Sequence, residues 1–305
     1  MIESISITNY LDKTTDIELG SPEKSGFAIL DITGLGPGKA DVNVTDIGVM
    51  DGGIYNSSRL KYRNIVIKLR FVPNENNTIE DIRQKSYEIF KIKKMLKLTV
   101  TSTNRRLEIY GYVETNDPTI FSKEEGTQIS IICPNPYFSS VYNTETVLKG
   151  IESAFEFPFS NESLTESTIV MSNMMNNTDR VISYQGDSDI GLLIDVTLNG
   201  RISNNIKLTN YNIGKQLTIS TERIESIIKG ELLYGDRIVI STIQGSKYIS
   251  LIRGDTEINI LHSLMPDSDW IYLTRGFNLI AIYAGDDSNN IKDLIIYSKT
   301  LYEGV

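Results

Sequence analysis

Residues 65–72 read Ile65-Val-Ile-Lys-Leu-Arg-Phe-Val72, and this stretch decides the fold class. Ile65, Ile67, Leu69 and Phe71 occupy every second position, with Lys68 and Arg70 between them. Side chains alternate between two faces along a strand, so the pattern predicts a strand with one face in a core and one in water. Leu96-Lys-Leu-Thr-Val100 and Leu107-Glu-Ile-Tyr-Gly-Tyr-Val113 share the rhythm. The turn-like Ser102-Thr-Asn-Arg105 joins them, which predicts a hairpin. Gln128-Ile-Ser-Ile-Ile-Cys133 is a further strand. One helix interrupts them over 79–90, with Thr78 as its cap and Glu80 and Asp81 complementing the dipole. Ile79, Ile82, Ser86, Ile89 and Phe90 share its face, an apolar stripe laid against a sheet.

Working outward, the second half is nearly all strand signal. Leu192–Leu198, Gln216–Ser220, Arg237–Thr242, Lys247–Ile252, Glu257–Leu261, Trp270–Leu273, Asn278–Tyr283 and Leu294–Tyr297 are short and separated by turn residues. That spacing predicts an antiparallel sandwich. Residues 160–190, rich in Ser, Asn, Thr and Asp, read as a long exposed excursion. Pro134 and Pro136 end the last strand of the first half, and the charge balance changes there, from a net of −1 over 1–142 to −8 over 143–305. Two domains are therefore expected, 1–142 and 143–305, in a mainly β protein.

The composition excludes several functions. A chain of 305 residues with a net charge of −9 has no overall attraction for nucleic acid or anionic membrane. A single cysteine, Cys133, closes no intrachain disulfide, and with the single His262 it supplies no zinc site. Gly285-Asp-Asp-Ser-Asn-Asn290 reads as an acidic hairpin loop, and Cys133, at a strand end, as a buried thiol. Gly34-Leu-Gly-Pro-Gly38 matches neither phosphate-loop spacing, and Pro37 removes an N–H that a phosphate would use. Asp51-Gly-Gly53 reads as a turn followed by the polar Tyr55-Asn-Ser-Ser-Arg59. No G-x-S-x-G elbow occurs, and the 39 carboxylates form no pair that spacing singles out. No catalytic residue, metal or cofactor is named by these residues. Met1-Ile-Glu-Ser-Ile-Ser carries no secretory signal, and no run reaches the roughly 20 apolar residues of a membrane span, so synthesis and folding in a cytoplasm are expected.

The most uneven charge lies between residues 58 and 106, with 13 Lys or Arg against 4 acids. Arg59, Lys61, Arg63, Lys91, Lys93, Lys94, Arg105 and Arg106 belong to it. No aromatic platform interleaves with them as in a single-strand binder, so a protein partner is favoured over nucleic acid. Asp41, Asp46 and Asp51 of a neighbouring copy are the candidate complements.

Several motifs in one order carry a resemblance. They are Asp31-Ile-Thr-Gly-Leu-Gly-Pro-Gly-Lys-Ala40, Asp51-Gly-Gly-Ile-Tyr-Asn-Ser-Ser-Arg59 with Asn64-Ile-Val-Ile67, and Ile79–Tyr87 with Phe90-Lys-Ile-Lys-Lys94. Gly111-Tyr-Val-Glu114, Phe121-Ser-Lys-Glu-Glu125, Ile131-Ile-Cys-Pro-Asn-Pro-Tyr-Phe138 and Tyr302-Glu-Gly-Val305 complete the set. Together they resemble the distal tail protein (Dit) family of long-tailed phages of Gram-positive hosts, or an equivalent from a prophage or tail-like particle. The match is strong over the first half; over the second it rests on strand rhythm and on Trp270 with Gly276-Phe-Asn278. The resemblance implies an N-terminal split β-barrel with one packed helix, forming a hexameric ring. It further implies a C-terminal galectin-like or carbohydrate-module-like sandwich outside that ring. The implied role is structural: the ring joins the tail tube protein to the hub or lysin protein at the virion tail tip and anchors receptor-binding proteins. His262 and Trp270 do not sit in sugar-binding contexts of the galectin type, so sugar binding is not carried over. A sandwich that binds cell-wall glycan is the competing reading, and a wall-degrading glycosidase has no carboxylate pair to support it.

Overall fold

The computed structural model describes residues 2–9, 16–48, 51–75, 77–153, 172–176 and 178–305. Two compact units emerge, Met1–Val141 with Leu301–Val305, and Tyr142–Thr300. Both are mainly β.

Unit 1 runs through β1 (Ile2–Asn9), β2 (Asp16–Glu18), the single turn α1 (Pro22–Ser25) and β3 (Phe27–Thr33). It continues with β4 (Ala40–Asp46), β5 (Gly53–Leu60), β6 (Arg63–Phe71), helix α2 (Ile79–Ile89) and β7 (Met95–Ser102). Strands β8 (Arg105–Thr119), β9 (Gly126–Cys133) and β10 (Phe138–Ser140) follow. A curled antiparallel sheet has the order β2-β1-β7-β8-β9-β6-β3, with β10 on the flank of β8 and the strand Leu301–Tyr302 on β10. The alternation read from the sequence places Ile65, Ile67, Leu69 and Phe71 in the core with Ile5, Ile7, Leu98, Ile109, Ile129 and Ile131. The resemblance assigned one helix to this half, and α1 is a second, very short one. Residues 301–305, expected in the second domain, cluster with unit 1 because their strand pairs with β10.

Helix α2 starts where its cap dictates. Thr78 Oγ1 accepts from Asp81 N at 3.3 Å and Asp81 Oδ2 accepts from Thr78 N at 2.8 Å, a reciprocal box. The Thr78 hydroxyl and N–H on this carboxylate hold Asp81 below the usual carboxylate range. Ile82, Ser86, Ile89 and Phe90 are buried, whereas Ile79 is exposed, so the packed face is one residue shorter than its spacing predicts. Ile82 lies against Gly26, which has φ +81°; a Cβ there would stand 2.7 Å from Ile82 Cγ1. Gly26 is needed on both counts.

Unit 2 is a two-sheet sandwich. One sheet has the order Ser172–Asn176, Thr144–Ser153, Ile291–Ser298, Leu193–Leu198, Arg237–Ser241, Tyr248–Arg253, Thr256–Asn259. The other runs Asp179–Tyr184, Gly276–Tyr283, Ile206–Asn210, Lys215–Ile219. Ile194, Val196, Ile238 and Ile240 from the first meet Leu208, Leu217, Ile280 and Ile282 from the second in one core. Strands Ser172–Asn176 and Asp179–Tyr184 replace part of the excursion expected over 160–190; residues 160–171 lie outside the described residues. A helix, α3 (Thr221–Ile228), also interrupts the strand reading. Ser220 caps it, and Ile224, Ile227 and Ile228 turn toward the core.

Three singled-out side chains settle into structural roles. His262 is exposed on the turn Leu261–Ser263. Trp270 packs partly against the core just before the strand Tyr272–Leu273, with Lys247 Nζ 5.2 Å from its ring. In the 285–290 loop, Asp287 Oδ2 accepts from Ser203 N at 2.8 Å, Ser203 Oγ at 3.0 Å, Asn204 N at 3.2 Å and Asn204 Nδ2 at 3.0 Å. These donors hold its carboxyl below the usual range. The carboxylate ties two loops together.

Ile82→Asp places a carboxylate without a partner at a fully buried position, at a cost on the order of several kcal/mol. Thermal melting should show unit 1 unfolding roughly 10 °C lower, or the variant should be recovered insoluble.

Candidate assembly surface

Among the described residues the hairpin of β4 and β5 pairs with no other strand. It is described up to its tip, where residues 49–50 lie outside the described residues. Seven pairs link the strands, from Ala40↔Leu60 to Asp46↔Gly53, and the register shifts between Asn43 and Val44 with Asn56 as the extra residue. At about 3.3 Å per residue the arm is roughly 23 Å long.

The shift sorts its two faces. Ala40, Val42 and Val44 share one face with Leu60, Ser58 and Tyr55; Tyr55 Oη and Ser58 Oγ are 2.8 Å apart there. Asp41, Asn43 and Thr45 share the other with Arg59 and Ser57, and Asn56 Nδ2 donates to Thr45 Oγ1 at 2.6 Å. The first face is mainly apolar, with Asp46 at its far end, and the second mainly polar, apart from the exposed Ile54 opposite Thr45. Neither is covered: Val42 is 56%, Val44 50% and Tyr55 61% exposed. A lone two-stranded arm is marginal in water, and this one keeps these apolar residues exposed. Strand β3, one edge of the curled sheet, adds the exposed Leu30 beside a register shift, and Phe121 stands fully exposed on the loop between β8 and β9.

Arg63 holds the root of the arm. Its Nε donates to Pro136 O at 2.7 Å, Nη1 to Gly34 O at 2.6 Å and to Gly36 O, and Nη2 to Glu303 O at 2.6 Å. Its guanidinium lies 4.8 Å over the Phe138 ring. Gly34 has φ +89°, and a Cβ there would meet Asn64 O at 2.2 Å, so the carbonyls reach Arg63 only on a glycine backbone. Arg63 is 5% exposed. Burial lowers its pKa, opposed by Cys133 and Glu303. Within the chain this cation of the basic stretch, expected as a subunit contact, donates to four internal carbonyls.

The other predicted contact residues divide among three places. Lys61 Nζ lies 3.3 Å and Arg59 Nε 3.8 Å from Asp41 Oδ2, so these three meet on the arm of one chain. Asp46 and Asp51 sit exposed toward its tip. Lys91, Lys93 and Lys94 are exposed on the turn between α2 and β7, where Lys93 takes φ 65°. Arg105 and Arg106 begin β8, and the Arg105 guanidinium lies 4.6 Å over the Tyr302 ring. The basic stretch is therefore not a single patch. Sequence reading passed over the apolar residues of the arm, although Ala40, Val42 and Val44 already alternate with polar neighbours. Tyr55–Arg59, read as polar residues after a turn, forms most of β5.

No three His, Cys, Asp or Glu side chains gather as a metal site among the described residues. Burial pushes the Cys133 thiol up to about 12, against the pull of Arg63. The folded chain keeps this proton where an unfolded chain, with a thiol pKa near 8.5, loses it. Its stabilising contribution is therefore complete below about pH 8.5 and declines as pH rises toward 12. At pH 8 the native thiol should resist an aromatic disulfide reagent that titrates one thiol per chain in denaturant.

No protein-family model and no curated protein matches the sequence. Solved structures do. The crystal structure of the SPP1 Dit protein (gp 19.1), described as a paradigm of the hub adsorption apparatus in Gram-positive infecting phages, is similar over 97% of this chain and 99% of that one, with a TM-score of 0.65 and 11% identity. A chain of the phage p2 baseplate in its activated conformation with Sr is similar over 99% of both chains, with a TM-score of 0.54 and 11% identity. The same baseplate with Ca matches over 100% of both, again with a TM-score of 0.54 and 11% identity. The chain shares their fold through both units.

Proposed function

We propose that this chain is a structural, non-catalytic subunit of a phage tail tip, in which unit 1 builds a ring and unit 2 is a peripheral appendage. The single observation that carries the proposal is the amphipathic β4–β5 arm, which leaves its apolar face uncovered on a fold shared with SPP1 Dit and a p2 baseplate chain. A closed ring needs two different complementary surfaces on each copy. The apolar face of the arm is one, and the free edge at β3 with Leu30 is the other. Burying Val42, Val44, Tyr55 and Leu60 against a neighbour contributes about 1–2 kcal/mol per side chain. Exposed ion pairs through Lys91, Lys93, Lys94 or Arg106 add at most about 1 kcal/mol each. Six copies, junctions to a tail tube protein and a hub or lysin protein, anchoring of receptor-binding proteins and a place in the virion tail tip follow from the same reading.

Light scattering and negative-stain microscopy test it. The purified protein should form rings with an open centre, and Val44→Asp should yield monomers with an unchanged melting temperature, because that side chain belongs to no core. A protein that stays monomeric at tens of micromolar, or a Val44→Asp variant that still forms rings, overturns the assignment.

A second reading concerns unit 2, on the observation that Val181, Phe277 and Tyr283 project from the outer face of its four-stranded sheet, 55%, 71% and 58% exposed. Ser183, Thr209 and Gln216 lie among them on that face. Lys207 stands opposite Tyr283 and Asp179 opposite Ala281 on the same face, so rings flanked by hydroxyl, amide and charged groups suit a cell-wall glycan. Saturable glycan binding by the protein that Phe277→Ala reduces tenfold or more would support it; binding unaffected by Phe277→Ala would not.

A further inference from the structure

The chain leaves unit 1 after Val141 and re-enters it at Leu301. Each residue that re-enters meets a defined partner. Leu301 and Tyr302 pair with Ser139 and Phe138. The Tyr302 ring carries the Arg105 guanidinium. Glu303 O accepts from Arg63 Nη2. Gly304 passes so close to the 34–38 loop that a Cβ would lie 3.2 Å from both Gly36 C and Pro37 N. Val305 N donates to Leu35 O at 3.1 Å.

Three of these five residues thus act on one short loop, directly or through Arg63. That loop leads into β4. Among the described residues the arm makes no ladder with the curled sheet, so its direction is set where it is rooted, at 34–39 and at 61–62. Arg63 and Gly38 bring the two roots together: a Cβ on Gly38 would stand 3.5 Å from Leu60 Cδ2 and 3.6 Å from Arg63 Nη2.

We propose that residues 301–305 are a latch that fixes the root of the assembly arm, so that a chain released before residue 301 folds its cores but cannot join a ring. Without Glu303 O, one edge of a buried guanidinium loses its acceptor. Without Gly304 and Val305, the 34–38 loop loses its cover and the Leu35 hydrogen bond. The loop then samples other conformations and carries the arm with it, and ordering it again at each ring contact opposes assembly. The consequence for the ring rests on the ring reading above; the effect on the arm does not.

The experiment compares the full chain, a chain stopped after Thr300, and Gly304→Leu, by hydrogen exchange and light scattering. The stopped chain should keep amide protection in β6, β7 and β9, exchange the amides of 40–60 at least tenfold faster, and stay out of rings when mixed with full chains. Gly304→Leu, which leaves the Glu303 carbonyl in place, should show the same change to a smaller extent. If the stopped chain also loses protection in β6, β7 and β9, Gly304→Leu decides. Exchange in 40–60 within twofold of the full chain, in whichever variant keeps its core, overturns the latch. If the full chain is itself monomeric the ring reading fails, while the exchange comparison still decides the latch.

Discussion

A buried guanidinium organises unit 1. An ion taken from water costs several kcal/mol unless its hydrogen-bonding groups are met, and the planar fork of arginine offers five N–H donors in fixed directions. Arg63 spends them on carbonyls from three separate stretches of chain: the loop before β4, the segment after β9, and the segment that re-enters at 301. The Phe138 ring closes one side. A lysine ammonium, a point charge on a flexible stem, could not span the same set. The glycines at 34 and 304 fit this arrangement, since a Cβ on Gly34 would collide with Asn64 O and one on Gly304 would crowd the 36–37 backbone.

The two cores obey a simpler rule. In each, side chains at every second position of antiparallel strands meet across a sheet, and apolar burial does the work. Such patterns are local, which is why β6, the β7–β8 hairpin, β9 and helix α2 were legible from the sequence. The likeness to solved structures at 11% identity fits this: many sequences satisfy the same alternation. Where β-branched residues run on, the pattern is ambiguous. Helix α3 holds Ile224, Ile227 and Ile228 inside a region of strand rhythm, and their spacing with the Ser220 cap distinguishes it.

The candidate site was less legible, for a physical reason. A stretch of 13 cations shows charge but not direction. Arg63 turns inward, Arg59 and Lys61 meet Asp41 in their own hairpin, and Arg105 covers Tyr302, a partner nearly 200 positions away. Contacts at that separation leave no local trace. The apolar face of the arm depended on a register shift at Asn56 that brings Tyr55 onto the side of Val44. Simple alternation from Leu60 would have put Tyr55 on the opposite face.

The pairing of Phe138–Ser139 with Leu301–Tyr302 also bears on the length of chain between them. Seen from unit 1, all of 142–300 is one loop whose two ends leave adjacent strands. Closing a loop costs entropy that grows only with the logarithm of its length, about 0.6 kcal/mol for each doubling. A module twice or half as long, spliced between the same two strands, would leave the stability of unit 1 almost unchanged. The junction therefore sets little energetic limit on the length of chain between these two strands.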